Sequence, residues 1–561
     1  MRRRLTAGAV ATATGLAFLI TAPGISAVAA PTVSTATTEY TVVAEDGVSA
    51  EAAVQAITAA GGTVVGRNDA VGMFQVTSQR ADFGARATAE TALIGASERK
   101  AIGYAPKADK LVERENLSAA TSSSKHPSKA AKLDPLDDKL WGLQMIRADK
   151  ARKIEAGDRG ITVGVLDTGL DASNPDLAPN FSTQLSRNFA PDLIDVDGPC
   201  EVAGCLDPVG TDDGGHGTHV AGTIGAAANG SGVSGVAPGI TLVELKGGQD
   251  SGYFFLEPVV NALTYAGDVG LDVVNMSFYV DPWLYNCTDN PADTAEQKAE
   301  QKAIIRGMKR ALEYAHRRGV TLVGALGNNH EDLGKPRTDT SSPDYPADAA
   351  KERPIDNDTC WDLPVEGPHV IGVSSVGPSG QKADYSNYGL EQISVAAPGG
   401  WFRDGFGTPT FRTNGNMILS SYPIKVLQEE GTVDAAGNVT AGNEELVLKD
   451  CTKAGVCGYY TYLQGTSMAS PHAAGVAALI ASKFGQRDRW HGGLTMSPTK
   501  VEMQLYRTAA KTACPQPRLK SYVQEGRDAT FDALCEGGTK FNGFYGHGMI
   551  DAYAAVTEHL R

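Results

Sequence analysis

The sequence predicts an α/β protein built on a parallel sheet flanked by helices and preceded by a small α+β unit. From residue 140 onward, short and almost uninterrupted apolar runs alternate with helical patterns, which is typical of strands buried on both faces of a parallel sheet. The 561 residues suffice for a large core. Acidic residues outnumber basic ones by 65 to 50, and the net charge of −15 argues against nucleic acid or an anionic membrane as the main partner.

Residues 1–29 have the pattern of an export signal. A run of arginines after Met1 precedes an apolar stretch from Leu5 to Ile20, and the small residues Ala27, Val28 and Ala29 form a cleavage site. A membrane anchor is the alternative, but Thr, Gly and Ala dilute the stretch below what a stable span requires. We therefore expect a secreted, extracellular protein that is free of the membrane after processing and acts as a monomer.

Residues 30–115 predict the small α+β unit. The runs "EYTVVAE", "TVVGRN" and "MFQVTS" are typical of strands, and "SAEAAVQAITAAGG" is typical of a helix that ends at glycine. "TAETALIGAS" predicts a second helix, and "IGYAPK" predicts a last strand. This β-α-β-β-α-β order is that of a ferredoxin-like unit. The Ser-, Lys- and Ala-rich residues 116–137 then predict a cleavable linker, and residues 138–561 form the main domain.

Five apolar runs of the main domain predict the strands of its sheet, namely "GITVGVLDTG", "TLVELKGG", "LDVVNMSF", "GVTLVGALGNN" and "HVIGVSSVG". Helical patterns separate them, namely "THVAGTIGAAA", "LEPVVNALTYAGDVG" and "EQKAIIRGMKRALEYAHRRG". In such a doubly wound sheet, functional residues gather at the carboxyl ends of the strands.

Asp167 ends the predicted strand "ITVGVLDTG", whereas His216 and Ser467 begin predicted helices. Alone, each has an ordinary structural explanation as a turn cap, a buried histidine or a helix cap. Together they supply what acyl transfer needs, because a serine hydroxyl attacks a carbonyl only when a base takes its proton. His216 can act as that base, and Asp167 can hold the imidazole in the required tautomer.

The blocks around these residues resemble a known family. "DTGLD", "HGTHVAGT" and "GTSMASPHAAGVAAL" are similar to the three catalytic blocks of the subtilisin-like serine proteases, the subtilases or peptidase S8 family. The resemblance implies a subtilisin-like fold and a serine endopeptidase that needs no cofactor for catalysis and acts on protein or peptide substrates. It implies activity at neutral to alkaline pH, where His216 is unprotonated. His219 matches a residue that packs inside the helix.

The resemblance also gives residues 30–115 a role. Subtilases are commonly made with a propeptide that assists folding and inhibits the active site until it is cut. A parallel sheet of long-range contacts folds slowly, so such a template makes physical sense. We expect the chain to process itself between Lys107 and Asp137, with its own propeptide as an intramolecular inhibitor.

"GALGNN" resembles the family strand that ends in the oxyanion-hole asparagine. Asn328 stands at the matching place, directly after Gly327, and its neighbour Asn329 is the alternative. The backbone N–H of Ser467, at a helix start, is expected to be the second donor.

The substrate-binding residues are expected to be Gly252, Ser277, Phe278 and Gly327. "VVNMSF" resembles the strand whose end borders the family's substrate pocket, and the loop around Gly252 offers an edge for extended substrate backbone. Tyr279 lies where the family usually carries glycine. It either narrows the pocket or belongs to a loop rerouted by the insertion through Cys287.

Further predictions concern calcium, disulfides and insertions. Asp176 and Asn229 match positions that hold a structural calcium in many subtilases, with ordinary turn residues as the alternative. The even number of cysteines in an exported chain predicts disulfides, and we expect sequential pairing of Cys200, Cys205, Cys287, Cys360, Cys451, Cys457, Cys514 and Cys535. Insertions over 282–302, 348–367, 424–458 and 514–535 either shape the cleft or stiffen the chain.

Two other classes of function compete with a protease. A catalytically silent binding protein on the same scaffold would have no chemical reason to keep Asp167, His216, Asn328 and Ser467 together. An esterase of the α/β-hydrolase type is disfavoured by the chain order of the reactive residues. It is also disfavoured by Ala469, which stands where the GxSxG motif needs glycine.

Overall fold

The structure, a computed structural model, describes residues 37–99, 112–115 and 134–560. The predicted signal peptide, the predicted strand "IGYAPK" and most of the predicted linker lie outside these residues. Among the helices within the described ranges, none combines the length and apolar character that crossing a membrane requires.

The N-terminal unit has the predicted β-α-β-β-α-β order. Its elements are β1 (Thr38–Ala44), α1 (Ala50–Ala60), β2 (Thr63–Asn68), β3 (Met73–Ser78), α2 (Phe83–Ala89) and β4 (Leu93–Glu98). The strands form an antiparallel sheet in the order β2-β3-β1-β4. Ser49 caps α1 by accepting from Ala52 N–H, and Gly61 ends it in the left-handed conformation with φ 96°.

The prediction of a helix over "TAETALIGAS" was wrong. The second helix is α2, which begins at Phe83, and much of the predicted segment is strand β4 beside β1. Leu93 and Gly95 are buried while their neighbours are more exposed, so this segment has the period of two of a strand. Phe83 lies against Tyr40 in the core of the unit, with ring centroids 4.7 Å apart.

The main domain is built on a seven-stranded sheet. Its strands are β5 (Thr162–Asp167), β6 (Arg187–Asn188), β7 (Thr241–Lys246), β8 (Val273–Met276), β9 (Thr321–Ala325), β10 (Val370–Val376) and β11 (Val395–Pro398). All neighbours are parallel, in the order β11-β10-β9-β8-β5-β7-β6. The five predicted strands are confirmed. The sequence did not predict β6 and β11, which are too short to show a pattern.

Helices cover both faces of this sheet. The longer ones are α3 (His216–Gly225), α4 (Leu256–Val269), α5 (Ala295–Arg317), α6 (Thr466–Phe484) and α7 (Pro498–Thr508). Helices α3 and α6 pack in one hydrophobic core, and α4 and α5 pack in the other. Helix α6 is buried almost all round, which explains why it is apolar on every side. Helix α5 begins earlier than predicted because Thr294 and Gln297 form a capping box.

A smaller antiparallel sheet leads into α6. It consists of β12 (Ile418–Tyr422), β13 (Val447–Cys451) and β14 (Cys457–Leu463) in the order β12-β14-β13. The remaining helices are Trp141–Met145, Ala148–Ala151, Ile194–Asp197, Ile424–Glu429 and Ala552–Thr557, with 3₁₀ turns at Asp137–Lys139, Ala347–Ala349, Asn414–Asn416 and Ala529–Phe531. Short strand pairs are Asn286–Cys287 with Cys360–Trp361, Arg337–Asp339 with Arg353–Ile355, Gln486–Arg487 with Leu494–Thr495, and Leu519–Lys520 with Ala533–Leu534.

Sequential disulfide pairing is confirmed. The pairs are Cys200–Cys205, Cys287–Cys360, Cys451–Cys457 and Cys514–Cys535. The second pair joins two of the predicted insertions to each other, and the last pair closes the insertion near the C-terminal end.

The N-terminal unit packs against α4 and α5 of the main domain. Its residues Val43, Val71 and Met73 belong to the same hydrophobic core as these helices. Asn68 Nδ2 donates to Asn261 Oδ1 at 2.9 Å, and Asp46 accepts from Arg310 Nη2 at 2.6 Å. The unit therefore shares a core with the main domain as well as surface contacts.

Candidate active site

Asp167 and His216 form a buried pair at the carboxyl end of β5. The His216 Nδ1 and Asp167 Oδ1 atoms are 2.7 Å apart, and the same oxygen accepts from Thr168 N–H at 2.8 Å. Asp167 is fully buried and His216 is 6% exposed. A carboxylate on Nδ1 favours the tautomer in which Nε2 can accept a proton.

The start of α3 is fixed by residues that the sequence analysis missed. Asp212 accepts from the N–H of Gly215 at 2.8 Å and of Thr218 at 2.9 Å, so its carboxylate caps the helix. Thr168 Oγ1 donates to Asp212 at 2.9 Å and accepts from Gly217 N–H at 3.0 Å. Asp212 and Thr168, next to the Asp167–His216 pair, therefore hold the backbone that carries His216. A DDGGHG stretch with a carboxylate four residues before the histidine was a signal for this cap.

His219, one turn along α3, has a different environment. Its Nε2 lies 3.0 Å from the carbonyl oxygen of Ile418 and 3.3 Å from that of Thr461. Burial, together with the charge of His216, lowers the pKa of His219 to about 3. His219 is thus a buried neutral residue inside the protein, as the resemblance implied.

Ser467 lies in the first turn of α6 and faces the end of β8. Its Oγ donates to the carbonyl oxygen of Ser277 at 3.3 Å. Ser277 Oγ in turn donates to the carbonyl of Ser467 at 3.1 Å and lies 2.8 Å from Ser470 Oγ. Ser467 is 4% exposed. These hydrogen bonds join the start of α6 to the end of β8.

Asn328 and the backbone of Ser467 bound one small space. Asn328 Oδ1 accepts from Thr466 N–H and from Thr466 Oγ1, both at 2.9 Å. A Cβ added to Gly465 would lie 3.5 Å from Asn328 Nδ2 and 3.5 Å from Ser467 N. The side-chain nitrogen of Asn328 and the backbone nitrogen of Ser467 thus border the same space beside Gly465, and two donors at one place are what an oxyanion requires. A side chain at 465 would fill that space.

Asn329, the alternative donor, is placed differently. Its backbone N–H donates to Asn387 Oδ1 at 3.0 Å, and Asn387 N–H donates to the carbonyl of Gly327 at 2.9 Å. Asn387 therefore holds the loop after β9 so that Asn328 points toward Thr466. This geometry favours Asn328 over Asn329.

The predicted substrate-binding residues divide into two groups. The structure brings Ser277 and Gly327 to the site, through the contacts given above and through the Gly327 N–H bond to Thr466 Oγ1 at 3.0 Å. Phe278 packs into the core, where its ring stacks on Phe254 with centroids 4.1 Å apart. Gly252 lies in a turn in which its N–H donates to Gln249 O at 2.9 Å.

Tyr279 is directed away from β8 into a neighbouring loop. Its hydroxyl donates to Asp344 Oδ2 at 2.6 Å. The main chain of Val280 is also tied to that region, since its N–H donates to Leu363 O at 2.8 Å. Of the two explanations open from the sequence, this geometry favours a loop rerouted by the insertions.

Residues 112–115 lie in the cleft between these elements. Gln464 N–H donates to Glu113 O at 3.1 Å, and Gln464 Nε2 donates to Val112 O at 2.8 Å. Glu113 Oε1 is 3.4 Å from His216 Nε2, and Glu113 Cγ would lie 3.5 Å from a Cβ on Gly465. Glu113 therefore covers the space between His216 and the nitrogen atoms of Asn328 and Ser467. No pattern in the sequence singled out this segment.

Asp176 and Asn229 do not fit a calcium site. Asp176 Oδ2 accepts from Val233 N–H at 2.9 Å and from Tyr460 OH at 2.8 Å, and Oδ1 accepts from Asn229 Nδ2 at 3.3 Å. Protein donors thus use the lone pairs that a cation would need. Burial raises the pKa of Asp176 to about 7. The predicted ligand pair is better described as a hydrogen-bonded loop contact.

Acidic side chains elsewhere lie close enough to share a cation. Two such groups in the described part of the chain are Asp192, Glu201 and Asp250, and Glu201, Asp207 and Asp213. Lys246 lies among them, with Nζ 2.5 Å from Asp250 and 3.3 Å from Asp207. An ammonium group already offsets part of their negative charge.

Comparison with known proteins places these observations in a family. Residues 158–548 match the model of the Subtilase family, Peptidase_S8. Fervidolysin from Fervidobacterium pennivorans is 30% identical over 374 residues, which are 64% of this chain and 40% of fervidolysin. Subtilisin DY from Bacillus licheniformis is 28% identical over 369 residues, which are 66% of this chain and 90% of that protein.

A solved structure shows the same fold. The epidermin leader peptide processing serine protease from Staphylococcus aureus superposes with a TM-score of 0.60 at 19% sequence identity. The superposition covers 94% of this chain and 100% of that one. The large parallel sheet flanked by helices is therefore the fold of these proteases.

Proposed function

Since the chain belongs to the subtilase family of serine endopeptidases, we propose that it hydrolyses peptide bonds through Asp167, His216 and Ser467, assisted by Asn328. One observation carries this proposal. Glu113 lies beside both the Asp167–His216 pair, whose Oδ1 and Nδ1 atoms are 2.7 Å apart, and the space bounded by Asn328 Nδ2 and Ser467 N, so the pair and this space share one cleft. Protein or peptide substrates fit a chain of this protease family.

In the proposed reaction, each of these groups acts first when the acyl-enzyme forms and again when water releases the acyl group. His216 Nε2 takes the proton of Ser467 as the hydroxyl attacks the carbonyl carbon, and Asp167 stabilises the imidazolium. Asn328 Nδ2 and Ser467 N–H donate to the oxyanion. His216 then gives its proton to the leaving amine, and water releases the acyl group by the reverse steps. Side chains and backbone amides supply all of this chemistry, as in other subtilases.

Exchange of Ser467 tests the proposal. Ser467→Ala is expected to lower kcat for a peptide substrate by about 10⁶-fold, the loss known for the serine of subtilisin. It is also expected to leave the secreted chain at precursor length. Ser482→Ala, in the same helix, is a matched control, because Ser482 Oγ bonds only to Glu155 Oε1 at 2.7 Å among the described contacts. Equal activity of the two variants would contradict the proposal and favour a catalytically silent protein.

The N-terminal residues are proposed to form a signal peptide and a propeptide. Two contacts support an inhibitory role for the propeptide: its shared core with α4 and α5, and Glu113 beside His216 Nε2. These contacts favour a cut close to residues 112–115 rather than far along the 116–137 linker. N-terminal sequencing of the secreted, active protein tests this. A start near Ala30 in the active form would contradict it.

A further inference from the structure

Three side chains of the main domain surround the carboxylate of Glu115. Arg403 Nε contacts Glu115 Oε1, whereas Arg527 Nη2 and Gln464 Nε2 lie 3.0 Å and 3.1 Å from Oε2. The donors come from three separate parts of the chain, and Glu115 is 7% exposed. Both oxygens of an almost buried carboxylate are therefore paired with charged or amide donors.

The donors are held in place by the main domain itself. Arg403 Nη1 donates to the carbonyl oxygens of Glu525 at 2.9 Å and Gly526 at 3.2 Å. Arg527 Nε donates to Asp384 Oδ2 at 2.5 Å, and Gln464 Oε1 accepts from Phe402 N–H at 2.6 Å. Because these contacts do not involve Glu115, little conformational entropy is lost when a carboxylate binds.

The charges around the pocket favour binding of an anion. Asp384 lies opposite Arg527, and Glu525 is paired with Lys520 at 3.1 Å. Glu115 is the carboxylate that lies against Arg403. When Glu115 leaves, a half-enclosed positive charge remains, and uncompensated charge in such a place is unfavourable. Another carboxylate of similar reach would restore the balance.

The path of residues 113–115 past His216 indicates on which side of a cut bond the pocket would lie. The leaving nitrogen of a substrate must lie beside His216 Nε2 to receive its proton. The side-chain oxygen Oε1 of Glu113 lies 3.4 Å from Nε2, its carbonyl oxygen accepts from Gln464 N–H, and from there the chain runs to Glu115 in the pocket. A substrate that follows the same path would place a side chain in the pocket a few residues after the cut bond.

The neighbouring ion pair of the segment is more exposed. Arg114 Nη1 lies 2.5 Å from Glu430 Oε1, with side-chain exposures of 31% and 28%. Water and salt screen such a pair more strongly than they screen the pocket around Glu115. Selection along this segment should therefore depend on Glu115 more than on Arg114.

We propose that Arg403, Arg527 and Gln464 form a subsite that selects glutamate about three residues after the cut bond, by the path of residues 113–115. Glu115 fills it before processing, and substrate glutamates fill it afterwards. The inference rests on the proposed peptidase function. It also gives the insertion between Cys514 and Cys535 a role, because this insertion carries Arg527 and the carbonyl groups that hold Arg403.

The first test uses peptides and the processed wild-type protein. Internally quenched peptides that cover residues 106–120 carry Glu115, Glu115→Gln or, as matched control, Arg114→Gln. Mass spectrometry locates the cut. The Glu115 peptide is expected to have a kcat/KM about tenfold above that of the Gln peptide, mainly through KM. The kcat/KM of the Arg114→Gln peptide should stay within about twofold of that of the Glu115 peptide. Added NaCl should shrink the preference for glutamate.

The second test changes the pocket. Arg403→Gln and Arg527→Gln should each reduce the Glu-to-Gln preference to about threefold or less, because one of the two guanidinium groups remains. Arg507→Gln is the matched control, since Arg507 pairs with Glu558 on the surface. It should keep the wild-type preference. Circular dichroism and a peptide anilide that ends at the cut bond serve to correct each rate for the folded fraction.

The outcomes separate the subsite from the peptidase function. Wild-type protein that cuts the Glu and Gln peptides at equal rates overturns the subsite and leaves the peptidase function standing. If the protein does not cut the peptides, fluorescence anisotropy measures how tightly it binds each of them. Tighter binding of the Glu peptide would then keep the subsite while the peptidase function fails, and equal binding would remove both.

Discussion

The two sides of the cleft are held together in different ways. On the side proposed to be catalytic, Asp167, His216 and Ser467 lie at the ends of buried strands and helices, where Asp167 pairs with His216 and Ser467 donates to the carbonyl of Ser277. On the leaving-group side, Arg403 and Arg527 lie in loops, and ion pairs hold them in place.

Because of this difference, the side built on the sheet is suited to the chemical step, and the side built from loops is suited to substrate selection. The parallel sheet fixes the reacting groups through its strand ends, where small displacements are costly. Loops and insertions are freer to change, and in this chain they supply the charges that we propose to meet the substrate. Changes on the catalytic side should therefore act on kcat, and changes on the leaving-group side should act on KM and on preference.

The largest effect after loss of Ser467 is expected for Asp167→Asn. An amide at 167 favours the wrong tautomer of His216, so kcat should fall by about 10⁴-fold with little change in KM. Asp272→Asn is the matched control at the opposite end of the sheet, where Asp272 accepts from Thr162 N–H at 2.8 Å. Steady-state kinetics of both variants checks this. A kcat that falls equally in both would show a general loss of structure instead.

A smaller effect on kcat is expected for Asn328→Ala. Loss of one side-chain donor to the oxyanion should cost about 10²- to 10³-fold in kcat, again with KM nearly unchanged. Asn329→Ala changes the neighbouring residue in the same way and should cost much less. If Asn329→Ala proved the more damaging of the two, the assignment of the donor would be reversed.

A group on the catalytic side, His219, should also make the free energy of unfolding depend on pH. The pKa of His219 is lowered to about 3 by burial, so the unfolded chain binds a proton below about pH 6.5 that the folded chain does not. The stabilising effect of the neutral ring is complete above that pH and is lost as the pH falls. Between about pH 6.5 and pH 4 this single group should lower the free energy of unfolding by about 3 kcal/mol.

His219→Gln removes that dependence. In a Ser467→Ala background, which prevents self-digestion, urea unfolding at both pH values should show a shallower loss than the parent. The exposed His491→Gln should keep the slope of the parent. Identical slopes for the parent and His219→Gln would mean that His219 titrates normally in the folded protein.

The smallest effect is expected on the leaving-group side for Tyr422→Phe. The Tyr422 hydroxyl contacts Arg114, whose side chain is 31% exposed. Its loss should raise KM for the peptide over residues 106–120 by no more than about twofold and leave its Glu-to-Gln preference intact. A large fall in kcat would show that the two sides of the cleft are not independent.

The sequence predicted the catalytic side far better than the leaving-group side. Strands such as Thr162–Asp167 show as apolar runs, and the reactive residues stand at their ends in recognisable blocks. The buried position of Phe278 was harder to predict from the sequence, because its stacking on Phe254 depends on a contact between distant elements.

The pocket for Glu115 had no local signal. It joins residues that lie far apart in the chain, namely Glu115, Arg403, Gln464 and Arg527, and each of them alone is an ordinary surface-type residue. The error at the second helix of the N-terminal unit has a similar origin. Pairing of Leu93–Glu98 with β1 outweighs the helix propensity of the segment.

The central claim is that Asp167 and His216 activate Ser467. Labelling of the processed protein with a fluorophosphonate, followed by peptide mapping, tests it most directly, with Ser470 in the same helix as an internal control. We expect one adduct, on Ser467, and a loss of labelling when His216 is replaced by alanine. A folded protein without an adduct on Ser467, or one labelled equally fast without His216, would contradict the account.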